Sequence, residues 1–348
     1  MNLFADLAAI QVRLENWWEH GDQEMPLLLT SVRDDNVPLP DTEDLETYWY
    51  DVEWRIAREM RAIDSTRYYG VALPGHFPNL GSSSMAGVLG ARMEALDKRT
   101  MWPHAVCERL EQLLEVDLDP ANRCYHTILE LTRRSVALSK GHHYVAPYAL
   151  EGVSDLIAAL YGVENYMIAL LTRPAEVMRV SEHIKRLWLR AFDEIETLIA
   201  QGGNAGGIGW AGIWAPGTTF PLQEDITYMM SPSLYRTFIL PHVYDMVDAM
   251  DYAMYHLDGV GAIPHLEALL EIPKLRAIQW VPGPGQERIS LWYDLIRRIL
   301  EAGKSVEVFC ESDEIDDLIS HVGAKGVLIG VSVASDAEAA QLMDKFWQ

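Results

Sequence analysis

His256 and Asp258 stand two residues apart in Met254-Tyr255-His256-Leu257-Asp258-Gly259, a short apolar run that stops at glycine. Alternate side chains of a β-strand share a face, so this imidazole and this carboxylate point the same way. Such a pair suits proton transfer or metal ligation. Cys310 closes another β-rich run, Ser305-Val306-Glu307-Val308-Phe309-Cys310. Together His256, Asp258 and Cys310 offer imidazole, carboxylate and thiolate, a three-ligand set that zinc accepts while keeping a fourth position open for chemistry. The competing reading makes Cys310 a small buried hydrophobe and leaves His256 hydrogen-bonded to Asp258 or a neighbour.

Further polar and aromatic residues fall at the ends of expected strands. Glu151 follows the 142–149 run, Asp225 comes just after Gln223-Glu224, and both join Asp258 as candidate acid–base carboxylates. His76 lies in the turn-rich Pro74-Gly75-His76-Phe77-Pro78, Trp210 and Trp214 in the glycine-rich segment 202–217, Gln279-Trp280 at the end of a β-rich run, and Glu311 directly after Cys310. These six are candidate substrate contacts, and an acidic, aromatic lining suits a neutral or cationic small molecule held by stacking and hydrogen bonds. For each tryptophan the competing role is packing between sheet and helices. His142 and His143 precede a strand, which puts them on the opposite, stabilising edge of a parallel barrel.

The elements that must position these residues alternate from Arg123 onward between β-rich runs and helix-period segments, the signature of βα units around a parallel sheet. Four runs are clearest: 253–258, 276–281, 305–310 and 326–333, with helical spacing over 265–270, 291–302 and 314–322 between them. Ser231-Pro232 and Ser335-Asp336-Ala337-Glu338 have the form of helix starts. Before about Leu118 the pattern is helical and loop-rich, with amphipathic stretches at 48–63 and 104–114. The expected fold is a single α/β domain over 1–348, a TIM (β/α)8 barrel with 1–64 as a helical N-terminal extension. The glycines of 202–207 lack dinucleotide-loop spacing and read as a flexible loop.

Composition narrows the partners. The chain has 348 residues, 49% of them hydrophobic, enough for a large core, and a formal net charge of -23. That charge repels phosphates and anionic lipid, so neither a nucleic acid nor a membrane surface is expected as a partner. Three cysteines in scattered positions fit a reducing compartment. Met1–Asp6 carries no basic leader, no run reaches the length of a membrane helix, and the expected location is cytoplasmic.

Three segments taken in order resemble the uroporphyrinogen decarboxylase superfamily: Ala146-Pro147-Tyr148 through Asp155–Gly162 to Arg173-Pro174-Ala175-Glu176-Val177, then Met230–Tyr235 to Pro241-His242, then His256-Leu257-Asp258-Gly259. The resemblance spans residue 65 to the C-terminus and implies a TIM barrel. It is nearer to the corrinoid-linked methyltransferase branch, in which a His-x-Cys-Gly strand and a later cysteine bind zinc. The arginine-rich opening and the Phe-Ser-Asp-type run of the tetrapyrrole decarboxylases are missing, and Asp34-Asp35 and Asp41–Asp44 stand in the N-terminal region instead. His256 and Gly259 match the methyltransferase pattern, Asp258 replaces its cysteine, and the last strand, 327–333, has none. The resemblance implies methyl transfer or O-demethylation of a small methylated substrate, zinc, a corrinoid carried by a partner protein, and a homodimer. Two other functions stay open: a metal-free lyase or hydrolase using paired carboxylates, and a non-catalytic ligand-binding barrel.

Overall fold

The computed structural model describes residues 7–347, so the Met1–Asp6 segment read above for a leader lies outside the described residues. Thirteen strands run in chain order: β1 Leu27–Arg33, β2 Thr66–Gly70, β3 Gly75–His76, β4 Arg92–Ala95, β5 Met101–His104, β6 Tyr144–Val145, β7 Gly207–Ile208, β8 Trp214–Ala215, β9 Thr219–Leu222, β10 Tyr252–Asp258, β11 Leu275–Val281, β12 Ser305–Phe309 and β13 Val327–Gly330. Seven of them form one sheet in the order β2-β1-β13-β12-β11-β10-β9. Every neighbouring pair in it is parallel except β1–β2. Three two-stranded pieces, β3–β6, β4–β5 and β7–β8, complete the strand inventory among the described residues.

The last four β-rich runs fold as expected, joined by the helices Leu266–Leu270, Tyr293–Glu301 and Ile315–Val322. Parallel strands are covered on both faces by their crossovers, which is why most residues of β10 through β13 are buried, with His256 half-buried and Asp258 exposed on β10. The main sheet ends at β2 and β9, with no ladder in the described residues closing it into a ring. What the hydrogen bonds draw is therefore a mixed α/β fold around a seven-stranded sheet rather than a closed eight-stranded barrel.

Four local expectations are corrected. Residues 1–64 are not an all-helical extension, because β1 lies within them and pairs with β13 at Leu27–Leu328 and Leu28–Ile329. The 48–63 stretch is two helices, Leu45–Tyr50 and Val52–Asp64, since Asp51 ends the first and caps the second by accepting from the Trp54 backbone N–H. The 104–114 stretch forms only a 3-10 turn, Leu110–Glu115. In the 202–207 run, expected as a flexible loop, Gly202 closes a 3-10 turn and Gly207 begins β7, which pairs with β8 in a hairpin.

The Leu7–Trp18 helix closes one end of the sheet. Trp17 Nε1 donates to the Gly326 carbonyl at 2.9 Å, Trp18 Nε1 donates to the Trp214 carbonyl at 2.9 Å, and Ser305 Oγ donates to the Trp17 carbonyl at 2.5 Å. Ser305 and Gly326 are at the N-terminal starts of β12 and β13, so this apolar plug leaves the C-terminal edge of the parallel strands as the open one. Among the described residues no single helix is long and apolar enough to cross a membrane; Val153–Tyr161 and Val163–Thr172 pass by composition only as a pair bent by 112°.

Candidate functional site

One polar row crosses three adjacent strands. The register sets His256 of β10 opposite Gln279 of β11, and Gln279 opposite Glu307 of β12. His256 Nδ1 lies 2.5 Å from Gln279 Oε1, and Gln279 Nε2 lies 2.6 Å from Glu307 Oε2. The amide N–H donates to Glu307, so its carbonyl faces the imidazole and Nδ1 is the donor. His256 is thereby fixed in one tautomer with Nε2 left as a free base or ligand atom. Glu307 is buried, and loss of solvent pushes its carboxyl up to about 8, against the opposing pull of the Gln279 hydrogen bond. Trp210 meets the imidazole edge to face at 5.1 Å, its own Nε1 held by the Pro221 carbonyl at 3.0 Å.

In front of this row Asp225, His256 and Asp258 offer one ligand atom each, all within 4.8 Å of one another. Asp258 arrives by strand alternation, whereas Asp225 is placed by an exchange of helix caps. Glu224 accepts from the backbone N–H groups of Val153 at 2.9 Å and Ser154 at 3.0 Å, at the start of the Val153–Tyr161 helix. In return Asp155 accepts from the backbone N–H groups of Asp225 and Ile226, both at 2.8 Å, at the start of the Asp225–Met229 3-10 turn. Each carboxylate satisfies orphan donors of the other segment, and the exchange locks the Asp225 backbone beside β10. Burial and then Asp225 push Asp155 up to about 7. Asp225 itself is raised, by loss of solvent and by Asp258, with His256 acting against the rise. One imidazole and two carboxylates form a set that zinc accepts.

The other expected site residues fall into different places. Cys310 is not part of this group. It follows Phe309, the last residue of β12, and offers no ligand atom within the 4.8 Å that joins Asp225, His256 and Asp258. Cys310 and Glu311 instead line a cleft of about 1160 Å³ at the ends of β1, β11, β12 and β13, with Ser31, Pro282, Phe309 and Val331. There burial and the carboxylates of Glu314, Glu311 and Asp313 push the Cys310 thiol up to about 12, which disfavours the thiolate a metal needs. Glu151 is buried, with its carboxylate accepting from the Ala86 N–H at 2.9 Å and its carbonyl accepting from Trp188 Nε1 at 2.9 Å. It ties three segments together from a left-handed backbone, φ +54, outside the Asp225–His256–Asp258 group.

Trp280, adjacent to Gln279, points away from the row and is fully buried edge-on to Trp292 at 5.0 Å. Trp214 belongs to the apolar plug, its Nε1 donating to the Ala205 carbonyl at 2.9 Å. Neither indole reaches the open edge, because each lies on the packed face of its strand. His76 is buried and bonded to Ser135 at 2.8 Å rather than set at the mouth. Gln279 acts behind His256. Sequence reading gave Glu307, Glu224 and Asp155 no role in positioning. Glu307 carried a signal, a lone acid inside the apolar strand Ser305–Phe309; the Glu224–Asp155 exchange joins residues about 70 positions apart and carried none.

The chain matches no protein-family profile, and no curated protein sequence matches it. Among solved structures it is similar to a methyltransferase from Methanosarcina mazei, with a TM-score of 0.62 and 11% identity over 97% of this chain and 99% of that one. Likeness at that identity concerns the fold.

Proposed function

We propose that the chain is a methyltransferase of the uroporphyrinogen decarboxylase-like kind, moving a methyl group from a small methylated substrate to a corrinoid protein or a thiol at the Asp225–His256–Asp258 group. In this reading β3 and β6 are the two staves that join β1 and β9 through β13 in an eight-stranded parallel ring. The observation that carries it is the His256–Gln279–Glu307 row, because an imidazole held through Nδ1 with Nε2 free beside two carboxylates is how proteins prepare a metal-binding histidine. The whole-length fold likeness to a methyltransferase supports it.

The residues fit zinc. His256 Nε2, Asp225 and Asp258 would hold it, with Asp225 taking the place expected of Cys310. Bound zinc supplies Lewis acidity, which lowers the pKa of a thiol or polarises the oxygen of a methyl ether. The protein's own part is to fix His256 through Gln279, to bring Asp225 against β10 through the cap exchange, and to wall one side with Trp210. The test is zinc analysis of purified protein, wild type against His256→Ala and Asp258→Ala, with methyl transfer to free cobalamin as the activity. Stoichiometric zinc lost in both variants together with transfer is the expected result; a zinc-free, active wild type would overturn it.

A second reading rests on the proximity of Asp225 and Asp258, the first of them raised. Two such carboxylates can serve as acid and base in a metal-free lyase or hydrolase. Activity that survives chelation and is lost in Asp225→Asn would favour it.

A further inference from the structure

Away from this site, five side chains form an unbroken hydrogen-bonded line from solvent into the layer between sheet and helices. Asp64 Oδ1 lies 2.9 Å from His142 Nε2, His142 Nδ1 lies 2.8 Å from His143 Nδ1, His143 Nε2 lies 2.9 Å from Ser135 Oγ, and Ser135 Oγ lies 2.8 Å from His76 Nδ1. The outer end is open, with the Asp64 side chain 60% and the His142 side chain 31% exposed. Ser135 and His143 are completely buried and His76 is 5% exposed. The Val52–Asp64 helix supplies Asp64 and, deeper, Arg55 and Glu59; the Arg123–Ser139 helix supplies Ser135; β3 supplies His76, and Tyr68 of β2 faces Glu59.

Hydrogen-bond logic fixes every proton in the line. The Asp64 carboxylate can only accept, so His142 Nε2 donates to it and neutral His142 presents a bare Nδ1. His143 must then donate from Nδ1, which leaves its Nε2 to accept the Ser135 hydroxyl proton. Ser135 Oγ in turn accepts from His76 Nδ1, and His76 Nε2 is left without a proton. All donations run outward.

We infer that these five residues are a proton relay in which a proton taken up at buried His76 Nε2 appears as imidazolium charge on His142 at the surface. The transfer balances. A proton from hydronium bonds to His76 Nε2; the Nδ1 proton of His76 passes to Ser135 Oγ, the Ser135 hydroxyl proton to His143 Nε2, and the His143 Nδ1 proton to His142 Nδ1. The three bonds between His76 and His142 reverse direction while His142 Nε2 goes on donating to Asp64, one positive charge is gained, and that charge rests beside Asp64 in water. The alternative, charge kept inside, is opposed by burial and the nearby Arg55 guanidinium at His76, and by burial and His142 at His143. The line therefore exchanges one proton as a unit and lets buried imidazoles respond to external pH.

The test is long-range proton–nitrogen correlation spectroscopy of the full chain labelled at histidine, from pH 8.5 down to 5. At high pH His76 and His143 should carry Nδ1–H and His142 Nε2–H, and all three should change with a single shared midpoint, His76 and His143 moving to Nε2–H. An Nε2–H form of His76 at high pH, or independent midpoints, would overturn the relay. Asp64→Asn, an exposed change that leaves the core intact, should shift all three to the same lower midpoint; a shift of His142 alone counts against the proposal. Ser135→Ala should leave His142 titrating while His76 keeps one form.

Discussion

Gln279 stands opposite His256 across the β10–β11 ladder, and its amide carbonyl accepts a hydrogen bond from the imidazole Nδ1, 2.5 Å away. A buried amide thereby decides which nitrogen of His256 faces Asp225 and Asp258. Replacing Gln279 with Leu removes the acceptor and frees the ring to turn. Zinc affinity, measured by competition with a chromophoric chelator, should fall about 10- to 100-fold. An unchanged affinity would show that the row does not prepare a ligand.

Glu307 links stability to pH. Its carboxyl is held at about 8 in the fold against about 4.5 when unfolded, so between those values the folded chain binds the extra proton. Stability from this group is complete below pH 4.5 and is lost as pH rises toward 8, by at most about 1.4 kcal/mol per pH unit. Glu307→Gln should unfold at higher urea than wild type at pH 8, and the gain should shrink by pH 5. A gain equal at both pH values would contradict the shifted carboxyl.

Asp155 stands outside the proposed metal site, yet its two bonds to the Asp225 and Ile226 N–H groups position Asp225, a proposed ligand. Asp155→Ala should cost about 1–3 kcal/mol in chemical denaturation, the net scale of two hydrogen bonds. It should weaken zinc binding as well, while the distant Asp316→Ala does neither.

Cys310→Ala should leave zinc binding at the proposed site as in wild type, because Cys310 lines the cleft beyond the end of β12 and not the Asp225–His256–Asp258 group. Loss of zinc in that variant would restore the thiolate to the site.

Trp280→Ala should destabilise the protein by about 3–5 kcal/mol, since a fully buried indole leaves a cavity. Trp210 is only half-buried against His256, so Trp210→Ala should cost less stability and act mainly on substrate KM.

Period-two alternation was readable along single segments. It placed His256 and Asp258 on one face and marked β10 to β13 with the helices between them. The same rule was available for Gln279 and Trp280, and for Glu307 and Val308, but which face looked inward could not be read without a neighbour. Asp225 was a candidate from sequence, although nothing local told it from Glu224, its neighbour, which points back to cap a helix.

Sequence alone determined the βα order, the helix starts at Ser231 and Ser335, and the His256–Asp258 pair, because those are set by bonds and periodicities within a few residues. Tertiary structure decided the entry of β1 into the sheet, the His256–Gln279–Glu307 row, the capture of Asp225 and the line from Asp64 to His76. Each of these joins side chains from separate strands or helices, and register and packing set such distances only once the whole chain has folded.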